Sequence, residues 1–376
     1  MTLRLRRTVL WVLLLSKLVA GWGVQWDIQW HVLIGRDSFW IPPHVMTYAG
    51  VALAVLVSFG VLVWETAAGV DRDAVRILGL SGTRGFHLAA WGISLTVLAA
   101  PIDDLWHRLF GLDVTLWSPP HLLGIAGAAI NSLACLLIAR EVYPVGSMVR
   151  RAALVITGAM LYGGLHLTVD PSTRIAYLFG GVLFYTLPIL SALILPLALV
   201  TTARAADTRW APLLLLLVLI GLGVVGQEIS RAGFELLKPV SVIEREIAKD
   251  PTSPIAVATL MARKEGATPG QTGGRRHVFA FWPIVAMVVA DARRRPVAAT
   301  LAYGATLFAV LAWQMPARPS LAAMAPPLPD TAIALLLTLT AALAGGWAAR
   351  GLSDALTAGP APDTSSPSLR EARHIA

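Results

Sequence analysis

Long apolar runs, broken by short polar stretches that carry most of the arginines, repeat along almost the whole chain. Ten of them lie near residues 8–26, 45–64, 85–101, 121–139, 152–169, 176–200, 211–230, 278–291, 297–314 and 331–349. Several reach about 18 residues or more, enough for a helix to cross a hydrocarbon layer about 30 Å thick. Backbone N–H and C=O groups cannot stay unpaired in lipid, so runs of this kind form helices. The pattern predicts an all-α, polytopic integral membrane protein of about ten transmembrane helices. The opening MTLRLRR and the run behind it resemble a signal peptide, but Lys17 interrupts the run and no small-residue cleavage site follows. An uncleaved first helix is the expectation.

Arginine placement orients these spans. Arg4, Arg6 and Arg7 precede the first, and Arg72, Arg76 and Arg84 separate the second and third. Arg150 and Arg151 follow the fourth, Arg204 and Arg209 the sixth, Arg293 to Arg295 the eighth, and Arg350 the tenth. With simple alternation all fall on one side, which the positive-inside rule makes cytoplasmic, together with both termini. Residues 1–175 then form one unit and 176–351 a second set of transmembrane helices. Residues 237–277 make a long outer loop, in which SVIEREIAKD suggests a short amphipathic helix and KEGATPGQTGGRR a flexible connector. The Pro-, Ser- and Ala-rich stretch 352–376 is expected to be a disordered cytoplasmic tail.

Composition narrows the function classes. The chain of 376 residues is 56% hydrophobic and 14% charged, with mean hydropathy +0.68, which excludes a string of soluble domains. The net charge of +8 resides in the loops that orient the protein, so the expected partner is the lipid bilayer and not nucleic acid. Cys135, the single cysteine, lies in an apolar run, so neither a disulfide framework nor a thiolate metal site is expected.

The candidate chemistry lies in two copies of one motif. DIQWHVLIGRDSFWIPPH, residues 27–44, is echoed by DDLWHRLFGLDVTLWSPPH, residues 103–121. Both contain Asp-x-x-Trp-His, then Gly-x-Asp, then Trp-x-Pro-Pro-His, with one residue inserted in the second copy. Asp27 and His31 are four apart, as are Asp103 and His107, so a helix sets each pair on one face. The Pro-Pro before His44 and before His121 starts the next helix and puts each histidine in its first turn. Gly35 and Gly111 let the chain fold back between. Each copy offers two imidazoles and a carboxylate, a set suited to copper, non-haem iron or zinc. Asp37 and Asp113 are candidates to orient an imidazole N–H behind the ligands, although Arg36 could hold Asp37 in an ion pair instead. Reuse of every ligand-type residue in the second copy goes beyond what a packing repeat requires.

Other polar groups fall on the face of the motifs. His166 and Asp170 end the fifth span, and Gln227, Glu228 and Arg231 end the seventh. These either terminate helices at the headgroups or support the motif from behind. Trp22, Trp26, Trp30, Trp40, Trp106 and Trp117 crowd the same level and read as an interfacial aromatic belt. His87 reads as an interfacial residue at the opposite face, and His277 and His374 carry no ligand argument.

With these residues in view, the chain resembles the C subunit of the copper membrane monooxygenases, the particulate methane and ammonia enzymes. Asp27, Trp30, His31, Arg36, Asp37, Pro42 and His44 fall on that subunit's first ligand pattern with the same spacing, with Trp40 in place of a Phe. His107, Pro119 and His121 match its second pattern, but Asp103 stands where the family has Asn, and Pro43 replaces a small polar residue. The resemblance covers roughly residues 20–170. It implies copper bound by Asp27, His31 and His44, and by Asp103, His107 and His121. It also implies other membrane subunits or a homo-oligomer, and oxidation of a small apolar substrate with dioxygen. A protein that takes up, buffers or senses copper without oxygen chemistry would use the same ligands.

Overall fold

The computed structural model describes residues 2–35, 38–70, 74–110, 116–170, 173–267 and 275–357, apart from the side chains of Thr2, His107 and residues 275–279. In order the elements are α1 (Thr2–Ile34), α2 (Pro42–Ala67), β1 (Val75–Ile77), β2 (Leu80–Gly82), α3 (Arg84–Phe110), α4 (Pro119–Val142) and α5 (Met148–Leu167). Two 3-10 turns, Arg174–Phe179 and Gly181–Tyr185, lead into α6 (Thr186–Ile194) and α7 (Pro196–Ala205). Then come α8 (Ala211–Leu237), α9 (Ile243–Lys249), α10 (Pro254–Lys264), α11 (Arg275–Val289), α12 (Pro296–Gln314) and α13 (Leu328–Thr357).

The protein is therefore an all-α polytopic membrane protein, and among the described residues eight helical segments are long and apolar enough to cross a bilayer. These are α1 to α4, the segment Gly181–Ala205 that contains α6 and α7, α8, α12 and α13. Nine of the ten expected runs coincide with one helix each, and the sixth, 176–200, takes in two 3-10 turns, α6 and part of α7. The two outside the set of eight are α5, which carries Arg150, Arg151, His166 and three glycines, and α11, whose described apolar part is Ala280–Val289.

Two antiparallel hairpins, α1–α2 and α3–α4, account for the first 142 residues and have the same seam. A Cβ on Gly50 would lie 2.6 Å from the Ala20 nitrogen and the Ser16 carbonyl, and one on Gly23 would lie 2.7 Å from the Thr47 nitrogen. In the second hairpin a Cβ on Gly92 would meet the Asn131 nitrogen at 2.7 Å, and one on Gly127 the Thr96 nitrogen at 2.6 Å. Helices in lipid gain little from hydrophobic exclusion, so close backbone approach over glycine supplies dispersion contact instead. The buried Asn131 amide adds a hydrogen bond to the Ala89 carbonyl at 2.7 Å.

At one end the hairpins are tied by charge. Arg6 forks onto Glu65 at 2.6 and 2.9 Å, with Glu65 fully buried. Glu141 accepts from the Thr83 hydroxyl at 2.5 Å and from the Gly85 nitrogen at 3.0 Å. Arg7 reaches the Val142 carbonyl at 2.9 Å, so the start of α1 lies beside the end of α4. It follows that α1 and α3 run parallel and that both Asp-x-x-Trp-His motifs occupy the opposite end of the bundle.

Four expectations are corrected. The break between α2 and α3 holds an antiparallel β-hairpin that pairs Val75 with Gly82. His87 is buried, with Nε2 3.1 Å from the Val75 carbonyl, and packs under that hairpin where an interfacial residue was expected. The 237–277 segment contains, besides α9 from SVIEREIAKD, the helix α10, whose first turn is capped by the Ser253 hydroxyl accepting from the Ala256 nitrogen. Finally, α13 continues to Thr357, past the expected start of the tail, because Ser353 and Asp354 bind Arg204. Residues 268–274 and 358–376 lie outside the described residues.

Candidate metal centre

The C-terminal turns of α1 carry Asp27 and His31 on one face, and the first turn of α2 carries His44. Pro42 and Pro43 occupy the first two positions of α2, where a missing N–H costs nothing, and they fix its start two residues before the histidine. Gly35 closes α1 with φ +73°, and a Cβ there would strike the Ile243 backbone at 2.9 Å. The fold-back therefore requires glycine both for its conformation and for space.

The three side chains meet. His44 Nε2 lies 3.1 Å from Asp27 Oδ1, and His31 Nδ1 lies 3.3 Å from the same oxygen. The imidazole centroids are 6.3 Å apart, and the side chains of Asp27, His31 and His44 are 23%, 24% and 22% exposed. Asp27 Oδ1 is buried between the two imidazoles. Ligands sharing one ion through bonds of about 2.0–2.1 Å stand about 3 Å or slightly more apart, which matches these separations.

His31 Nδ1 also lies 2.9 Å from the Asp27 backbone carbonyl. With Nδ1–H donated there, the ring lone pair is on Nε2, the arrangement by which a backbone carbonyl orients a metal-binding histidine. In this conformation His31 turns Nδ1 toward the carboxylate. Among the described residues no three His, Cys, Asp or Glu side chains have donor atoms already gathered for an ion. The donor set fits a two-imidazole, one-carboxylate site in type.

The second copy is more open. His121 Nε2 lies 3.6 Å from Asp103 Oδ1, with the side chains 31% and 30% exposed. His107 lies one turn after Asp103 on α3, but its side chain is outside the described residues, as are Asp113, Arg36 and Asp37. Asp104 pairs with Arg108 at 2.6 Å, away from this set.

What covers the first copy explains the difference. The end of α1 is gripped by α8 and by the segment that follows it. The Val242 nitrogen donates to the Ile34 carbonyl at 2.7 Å, Ser241 Oγ to the Leu33 carbonyl at 2.6 Å, and Thr259 Oγ1 to the Val32 carbonyl at 3.3 Å. Beneath them runs a polar seam. Gln29 Nε2 donates to Ser230 Oγ at 3.2 Å, and Gln227 Nε2 donates to Gln29 Oε1 at 3.2 Å. Trp26 and Trp30 are buried against Phe234, Trp30 stacked on it at 5.8 Å, so these two are core residues and no part of a belt. Trp40 and Trp117 are exposed, as a belt requires.

Of the other polar groups on this face, Asp170 forks with Arg174 at 2.7 and 3.1 Å and His166 stacks on Tyr162 at 6.0 Å. Arg231 bridges Glu228 and Glu235 on the exposed side of α8. Gln227 connects to α1. Two participants escaped the sequence reading. Tyr48, one turn past His44, lies 5.9 Å from its ring, a position that its four-residue spacing could have suggested. The Gln25–Gln29 face of α1 pairs with a helix some 200 residues away, for which no local signal exists.

No protein-family model matches the chain, and neither curated proteins nor solved structures give a significant match to it.

Proposed function

We propose that the chain is a metal-binding membrane protein, with copper the leading metal and iron or zinc as competitors, held by Asp27, His31 and His44. The observation that carries this reading is the meeting of those three side chains around one buried carboxylate oxygen at 3.1 and 3.3 Å. Asp103, His107 and His121 form the second site. The arginine pattern supports a cytoplasmic location for both termini, so both sites lie near the extracytoplasmic face, and ten helices cross what we take to be a bacterial inner membrane.

Following the resemblance, we assign the protein to the neighbourhood of the copper membrane monooxygenase C subunits. Copper, when bound, would supply dioxygen activation toward a small apolar substrate arriving from the bilayer. The chain's own part is to present two imidazoles and one carboxylate, to hold His31 through the Asp27 carbonyl, and to exclude water on the α8 side. A second reading, copper uptake, buffering or sensing, is favoured by one observation: the ligand side chains remain about a quarter exposed. Dioxygen-dependent turnover separates the two.

The test is metal analysis with electron paramagnetic resonance on purified wild type, His31→Ala and His107→Ala. Wild type should hold stoichiometric metal, and each variant should lose the signal of its own site. Wild type without metal, or variants with undiminished content, would end this reading.

A further inference from the structure

At the end of the bundle opposite the motifs lies an open recess of about 430 Å³ lined by Arg204, Asp207, Arg293 and Arg294. It sits where α7 ends, α8 begins, and the α11–α12 turn passes. The arginines are held in place. Arg293 Nη1 donates to Asp207 Oδ1 at 3.0 Å, and Arg204 donates to Ser353 Oγ at 2.6 Å and pairs with Asp354 at 2.8 Å. Asp291 lies 4.0 Å from Arg293 Nε and 3.9 Å from Arg294 Nε, too far for a hydrogen bond to either. Arg293 Nε is therefore a buried donor with no acceptor in a recess that two neighbouring guanidinium groups share.

Three further features select the ligand. The helices α8 and α12 both begin here without a side-chain cap, so uncapped N–H groups and the positive ends of two helices add to the field. Arg209, Arg295 and Arg350 raise the local count to six arginines against Asp207, Asp291 and Asp354. The exposed Trp210, under the Arg209 guanidinium at 4.9 Å, suits the level of lipid headgroups.

We propose that Arg204, Arg293 and Arg294 form a binding site for a phosphate group, with Arg293 Nε as one of its donors. Two sources carry that chemistry: the phosphodiester of an anionic phospholipid and free inorganic phosphate. Guanidinium forks match phosphate oxygens better than any other side chain does.

The experiment titrates purified, detergent-solubilised full-length protein with short-chain phosphatidylglycerol, short-chain phosphatidylcholine and inorganic phosphate, in wild type, Arg294→Gln and Arg294→Lys. Arg294 has a largely exposed side chain, 74%, so its replacement does not threaten the fold. Phosphatidylglycerol should bind at least tenfold more tightly than phosphatidylcholine. Arg294→Gln should weaken it about fivefold, the usual effect of one arginine at a charged membrane surface, and Arg294→Lys should recover part of that loss. If phosphatidylglycerol outbinds inorganic phosphate the source is the lipid, and if the two are equal it is the soluble anion; either supports a phosphate site. Equal affinity for the two lipids without phosphate binding, or an unchanged phosphatidylglycerol affinity in Arg294→Gln, would overturn it.

Discussion

Asp103 is the residue on which the comparison between the two motifs turns. It stands where the resembling family has Asn, and its carboxylate lies 3.6 Å from His121 Nε2, against 3.1 Å for the equivalent pair in the first copy. Asp103→Asn should leave metal content unchanged while altering the paramagnetic signal of the second site; an unaltered signal would show that Asp103 is no ligand. Asp27→Ala should abolish metal at the first site alone, read as halved stoichiometry. The meeting of Asp27, His31 and His44 was legible at this scale because four-residue spacing on a helix and Pro-Pro at a helix start are local rules. Trp26 and Trp30 were misread for the opposite reason. Their burial depends on Phe234, which no local rule brings to them.

At the scale of elements, both hairpins close over glycine. Gly50→Ala should force α1 and α2 apart, because the added methyl meets backbone atoms that cannot rotate away. The expected cost is about 1–3 kcal/mol, measurable as a lower thermal midpoint in detergent. Gly60→Ala, whose Cβ meets nothing within 4 Å, is the control and should be neutral. Helix positions were readable from apolar runs alone. The β-hairpin and α10 were not, because short amphipathic elements between spans have weak periodicity and are stabilised by what they rest on. The hairpin rests on α2 and His87, and α10 on the end of α1.

For the molecule as a whole, the contacts collect the arginine-bearing ends into one surface. Arg140 reaches the Leu356 carbonyl at 2.7 Å and Arg150 the Tyr143 carbonyl at 3.2 Å, while Arg204 and Arg293 join the ends of α7, α11 and α13. With Cys135 changed to Ser, a cysteine at Lys238 should react with an impermeant thiol reagent from outside intact cells, and one at Arg209 should not. The reverse labelling would invert the topology and place both motifs in the cytoplasm. The overall class was legible from hydropathy. How residues 176–351 bear on the motif was not, because α8 meets α1 across some 200 residues.

The Arg6–Glu65 pair is buried, so removing one partner strands the other; Arg6→Ala should cost about 3–5 kcal/mol, seen as reduced yield and thermal midpoint. The same pair also imposes an order in time. The partners are 59 residues apart, so at roughly 5–20 residues per second Arg6 leaves the ribosome about 3 to 12 seconds before Glu65 exists. During that interval its charge must be held by water or by lipid phosphates, which anchors the start of α1 at its own side of the bilayer. Arrival of α2 then draws the guanidinium inward and locks the hairpin, so Asp27, His31 and His44, already synthesised by then, are brought together by a pair that forms after them.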